Sequence, residues 1–178
     1  YFVLGGSGTN LALFDIDHDL KQEILIPTFD KNLTAKQIYE RGKEAALSKN
    51  YSQAITDFDT LEARYPYGEW SERGQLALIH AYATGGEEAS ALAAADRFIR
   101  MHPRHPNVDY AYYMKGVINF NDNFSLAFRN LPLDRSLRDS TYAQDGFDSF
   151  KNLIERFPKS RYAADARKRM IILREQLA

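Results

Sequence analysis

Asp15, Asp17, His18 and Asp19 stand together between Leu13-Phe14 and Leu20, the densest cluster of reactive side chains in the chain. Alternating carboxylates have two chemical uses. One can attack a phosphoryl centre while a neighbour helps to hold Mg²⁺. Alternatively, carboxylates at positions one, three and five open a Ca²⁺ loop, and Asp15, Asp17 and Asp19 fit those places. Such a loop then needs a turn glycine and a closing glutamate, where this chain has Leu20 and Ile26. His80, His102 and His105 form a second set with metal-binding potential. His102, however, fills a position held elsewhere in the chain by Tyr65 and Phe157, so it reads as packing between structural units.

The run from Leu13 to Leu20 resembles the opening motif of haloacid-dehalogenase-type phosphatases, a strand ending in D-x-D-x-T. Asp19 occupies the Thr position, and no alternating strand–helix pattern follows to aim the carboxylates. A charged hairpin turn is the better reading, and a phosphatase fragment using Asp15 and Asp17 is a remote alternative. No P-loop, glycine-rich phosphate cradle or Ser-His-Asp ordering is present. No cofactor or metal is expected, and the chain does not read as an enzyme.

The elements around these residues are set by one recurring phrase. It reads A-I-x-x-F-x-x-L-x-x-x-Y-P at 54–66, A-L-x-x-A-x-x-F-x-x-x-H-P at 91–103, and G-F-x-x-F-x-x-L-x-x-x-F-P at 146–158. Apolar residues at helical spacing, closed by proline, predict the second helix of a hairpin. A period of about 34 residues with small residues at fixed helical places marks tetratricopeptide units. The expected fold is therefore all-α: a solenoid of three helical hairpins plus a terminal helix. Its repeats cover about 33–66, 67–103 and 107–158, with a half repeat at 161–178. Thr34 is the expected N-cap of the first helix, and Lys49-Asn50 and Thr84-Gly85-Gly86 are the expected turns. Trp70, Tyr110 and Tyr162 fall at matching places after each proline. The interval from Pro103 to Pro158 exceeds that from Pro66 to Pro103, which predicts an apolar insert at 121–140, read as a short helix or ordered loop.

Residues 1–32 differ in kind. Two apolar runs, 11–17 and 23–29, suit an extended arm or β-hairpin, while Gly5-Gly6-Ser7-Gly8 reads as linker or foreign sequence. Tyr1 in place of an initiator Met predicts a fragment or processed form.

Composition narrows the partners. With 178 residues, 44% hydrophobic, and formal net charge -1, no global field favours nucleic acid or an anionic membrane. The basic last helix also carries Glu155, Asp165 and Glu175 nearby, so it reads as a solvated face. The absence of Cys excludes disulfides and thiolate metal sites. What remains is a concave surface of the kind such arrays use to hold another protein. Tyr67, Trp70, Arg73, Tyr110 and Tyr113, at or near the starts of first helices, are the candidate groove residues for an extended apolar or aromatic segment. Trp70 and Tyr110 read equally well as packing between repeats.

Several strings then point to one family. Arg64-Tyr65-Pro66-Tyr67-Gly68, the stretch 75–82 (QLALIHAY), the stretch 96–110 (DRFIRMHPRHPNVDY), Asp134-Arg135-Ser136-Leu137-Arg138-Asp139 and the stretch 157–166 (FPKSRYAADA) resemble the ComL/YfiO family of outer-membrane β-barrel assembly lipoproteins. The resemblance implies a noncatalytic, periplasmic, lipid-anchored scaffold in Gram-negative bacteria. Its implied partners are a BamA-type barrel subunit, other assembly lipoproteins and the C-terminal segments of unfolded barrel proteins. The first repeats would form the pocket for extended segments. An adaptor of another envelope or secretion pathway is the alternative. The lipidated Cys and the final repeats of the family are not in this sequence, so anchoring and the contact to the barrel subunit do not carry over.

Overall fold

A computed structural model describes residues 32–124 and 135–177. Seven helices follow in order: α1 (Ala35–Leu47), α2 (Tyr51–Arg64), α3 (Glu69–Gly85), α4 (Glu88–Met101), α5 (Val108–Phe124), α6 (Arg135–Arg156) and α7 (Ala163–Leu177). No strand occurs among the described residues. Consecutive helices pack as hairpins α1/α2, α3/α4 and α5/α6, with α7 closing on α6. This is the expected all-α solenoid. The arm up to residue 31, with its carboxylate cluster, and the centre of the insert lie outside the described residues.

The phrase that predicted the hairpins has a local cause. Tyr65, His102 and Phe157 each donate a backbone N–H to the carbonyl four residues earlier, on Leu61, Phe98 and Leu153, at 2.8–2.9 Å. The following proline then excludes the next helical step and keeps the preceding residue extended. At the other turns the signals are equally specific. Asn50 caps α2 by accepting the Gln53 N–H at 3.2 Å, and Lys49 takes a left-handed φ of 62°. Gly86, at φ 84°, ends α3 after Gly85, so Thr84 and Gly85 of the expected turn belong to the helix.

Size complementarity sets the distance between the helices of a hairpin. A Cβ on Gly42 would stand 2.8 Å from the Phe58 ring, and one on Gly116 would overlap the ring of Phe150. The hairpins thus use glycine on the first helix and phenylalanine on the second. The middle hairpin inverts the sizes, with Ile79 on α3 and Ala95 on α4 buried in one cluster. Between hairpins, Gly74 of α3 lies under Leu61 of α2, where a Cβ would approach to 2.7 Å. Ala111 and Ala166, each also eight residues past its proline, are fully buried. Polar groups join the same seams. Buried Asp57 accepts from Arg41 Nε at 3.0 Å, Arg41 Nη2 at 2.6 Å and Gln53 Nε2 at 2.9 Å. Gln75 donates to Glu62 at 3.1 Å and meets His102 at 3.1 Å, while Arg97 holds the other Glu62 oxygen at 2.6 Å.

Two expectations are corrected. The insert does not begin at 121 and end at 140: α5 continues to Phe124 and α6 already starts at Arg135. Relative to the second hairpin, part of the added length extends α6, which has 22 residues against 14 in α4, while α5 and α3 each have 17. Tyr162 is also one helical turn out of register with Tyr110. The Val108 N–H bonds to the His105 carbonyl and the Ala163 N–H to the Ser160 carbonyl, both at 3.0 Å, which aligns Val108 with Ala163 and Tyr110 with Asp165. A shift of three residues keeps the same helix face inward, so hydrophobic periodicity could not separate the two registers. Counted from the prolines, the counterpart of Tyr110 in α3 is Arg73 rather than Trp70.

Gly116→Ala tests the close approach. The methyl group gains about 1 kcal/mol in helix propensity but overpacks the Phe150 ring, which costs about 1–3 kcal/mol. A net fall in unfolding free energy by chemical denaturation is expected. The double variant Gly116→Ala/Phe150→Leu should lose less than the sum of the single losses.

Candidate functional site: the face of the first helices

The order of contacts between helices fixes which face is inner. α1 closely approaches α3, α3 approaches α5 and α5 approaches α7. The backbones of α2, α4 and α6 do not come as close to one another among the described residues, α2 and α4 meeting through the Glu62 and Arg97 side chains. First helices are therefore crowded on the concave side and second helices fan out behind them.

The predicted residues separate into two clusters on this face. At the α1–α3 seam, Trp70 is half-buried against the Tyr39 ring, with centroids 5.4 Å apart. Two cations flank the indole: Arg73 at 5.1 Å and Lys36 at 5.9 Å from its centroid. Arg73 also pairs with Glu69 at 2.6 Å, one helical turn away. Tyr67 stands just outside this group, in the link before α3, and is 89% exposed. Its neighbour Gly68 takes φ 100°, a conformation that turns the chain into α3 and that residues with a Cβ rarely adopt.

At the α5–α7 seam, Tyr113 stacks on Tyr162 with centroids 4.7 Å apart and an interplanar angle of 16°. Its hydroxyl donates to Asp165 at 2.7 Å, and Arg169 Nε donates to the same carboxylate oxygen at 2.6 Å. Tyr110 packs on Tyr162 at 5.7 Å. Burial, reinforced by Tyr162 and Tyr113, pushes the Tyr110 phenol up to about 12. The Tyr113 phenol is also raised, first by burial and then by its bond to Asp165. The hydrogen bond from Arg169 holds the Asp165 carboxyl below its ordinary range.

Tyr110 and Tyr113 are thus engaged mainly in joining the last helix to the third hairpin, while Tyr67 and Arg73 are presented to solvent and Trp70 is half-buried between Tyr39 and two cations. Lys36, Tyr39, Tyr162 and Asp165 complete these clusters and were not singled out as site residues. Lys36 and Tyr39 carry a readable signal, since their spacing of three puts both on one face of α1. The histidines divide similarly. His102 and His105 set their rings 4.9 and 5.3 Å from Phe98, and Glu72 lies 3.4 Å from His105, whereas His80 is exposed on α3. No His/Cys/Asp/Glu group able to hold a metal occurs among the described residues, and no helix there is long and apolar enough to cross a membrane.

The profile of the YfiO family, described as outer membrane lipoprotein, matches residues 31–178. The chain belongs to the YfiO family. Relatives carrying the name outer membrane protein assembly factor BamD agree with it. One from Neisseria meningitidis serogroup B is 38% identical over 144 residues, covering 81% of this chain and 54% of the relative. One from Xylella fastidiosa is 34% identical over 149 residues, 84% of this chain and 51% of the relative. One from Vibrio cholerae is 34% identical over 152 residues, 85% of this chain and 63% of the relative. The chain spans about half the length of the first two. The YfiO match covers both aromatic seams and begins just before α1.

The Tyr110 phenol gives a pH test. Its folded-state value lies above the ordinary 10.0, so its neutral form contributes stability that is fully present below pH 10 and is lost as pH rises toward about 12. Denaturant unfolding at stepped alkaline pH should show this fall. Tyr110→Phe should make the dependence shallower, leaving the part due to Tyr82 and Tyr113, both also raised.

Proposed function

We propose that this chain is a noncatalytic docking module of outer-membrane protein assembly, acting at the periplasmic face of the outer membrane. Its inner face would receive extended segments, either from unfolded barrel substrates or from partner lipoproteins. A BamA-type barrel subunit would be met by other parts of the full-length protein. Family membership and the names of the relatives support the process.

The observation that carries the groove reading is the α1–α3 seam. There a half-buried Trp70 lies beside Tyr39, flanked by Lys36 and Arg73, with Tyr67 exposed at the rim. Aromatic rings that keep exposed area next to paired cations suit main-chain carbonyls, apolar side chains and carboxylates of an extended segment. The tyrosines at the α5–α7 seam support this surface by fixing its far end.

The test is a fluorescence-anisotropy titration of the chain with peptides taken from the C-terminal strands of barrel proteins. Saturable binding is expected. Tyr67→Ala with Trp70→Ala should weaken it by about 2 kcal/mol or roughly 30-fold. Circular dichroism should show the variant still folded. No binding, or binding indifferent to this pair, rejects the groove assignment.

A further inference from the structure

Farther along the same seam lies a pocket of ~200 Å³ that none of the groove candidates lines. Ala46 and Leu47 of α1 form one wall, and Ala77 of α3 forms the other. Phe58 of α2 closes the bottom. Because α2 lies behind the seam, the mouth opens away from it, onto the inner face. Leu47 is 77% exposed, a large apolar side chain left in solvent at the edge of a concave surface. The two remaining lining residues are Lys43 and His80, both exposed. No acidic residue lines the pocket. Glu40 reaches Lys43 only at 3.6 Å, as an exposed pair one turn away, so the ammonium remains available to a ligand.

We infer that this pocket is a specificity subsite for one apolar side chain carried next to a carboxylate. The inference rests on the reading that the inner face binds extended segments. The pocket admits a side chain of leucine or phenylalanine size, and the basic rim then neutralises a negative group one or two atoms from the backbone. That group is either the terminal carboxylate of a chain or the side chain of an adjacent Asp or Glu. His80 lies ten residues beyond Trp70 on α3, about 15 Å along the helix. An extended segment covers that distance in about five residues. One peptide lying along the seam can therefore fill the pocket at one end and meet Trp70 at the other.

Three octapeptide probes separate the sources, each with an aromatic residue five positions before a leucine. The first ends in that leucine as a free acid, the second ends in its amide, and the third has the leucine followed by Asp and an amidated end. Binding of the first alone assigns the terminal carboxylate, and binding of the first and third assigns either source. Both results support the subsite if Lys43→Gln and Leu47→Ser each weaken the binding probe about tenfold, and if Lys43→Gln abolishes its advantage over the amide. Both positions are exposed, so the variants should unfold as the parent does. Equal binding of all three probes overturns the carboxylate. Binding that depends on Trp70 but ignores Lys43 and Leu47 overturns the subsite while leaving the groove. Failure of all three probes, together with failure of the barrel-strand peptides, rejects the groove itself.

Discussion

The fold depends on how closely two helices can come together at each seam. Glycine at 42 and 116 removes the one carbon that would hold the first helix off the phenylalanine behind it. Each ring then becomes the floor beneath two neighbouring first helices rather than a wedge between them. Helix propensity argues against both glycines by about 1 kcal/mol each, so packing overrides local preference here. The middle hairpin shows that the constraint is one of summed volume: Ile79 and Ala95 exchange the large and small roles without disturbing the stack.

That spacing makes the inner face. First helices close enough to touch leave seams narrow enough for a ring on one to reach the next, as Tyr39 reaches Trp70 and Tyr113 reaches Tyr162. The two seams nevertheless do different work. The α5–α7 seam saturates its aromatics with one another and with the Asp165–Arg169 pair. The α1–α3 seam leaves its aromatic group half open and surrounds it with cations. A surface with one satisfied end and one unsatisfied end has a direction, and the proposed groove uses the unsatisfied end.

The helical hairpins were legible because the helix–aromatic–proline phrase reports a backbone event, a carbonyl capped and a helix stopped, that hardly depends on tertiary context. The small residues Gly42 and Ala54 were legible for a related reason, since a missing side chain on the inward face of a helix marks the close approach of a neighbour. Register was harder. Tyr162 and Asp165 are both acceptable on the inward side of α7, and only the turn hydrogen bonds distinguish them. The bounds of the insert were misplaced because apolar content between two helices does not reveal where each helix ends. Among the groove candidates, Tyr67 and Arg73 were readable as exposed positions near a helix start, and Trp70 is half-buried, in keeping with its double reading. The enclosure of Tyr110 was not, because it arises from a helix more than fifty residues later.

The close approach of first helices, with second helices reaching one another by long side chains such as Arg97 and Glu62, has a mechanical meaning. The backbones are packed closest along the line of first helices and stand farther apart on the opposite side among the described residues. Bending about that line would change the wider spacing, and strain bridges such as Arg97–Glu62, before it opened the close-packed seams. An occupant of the groove would then act as a splint across neighbouring hairpins, setting the curvature of the array as well as filling its surface.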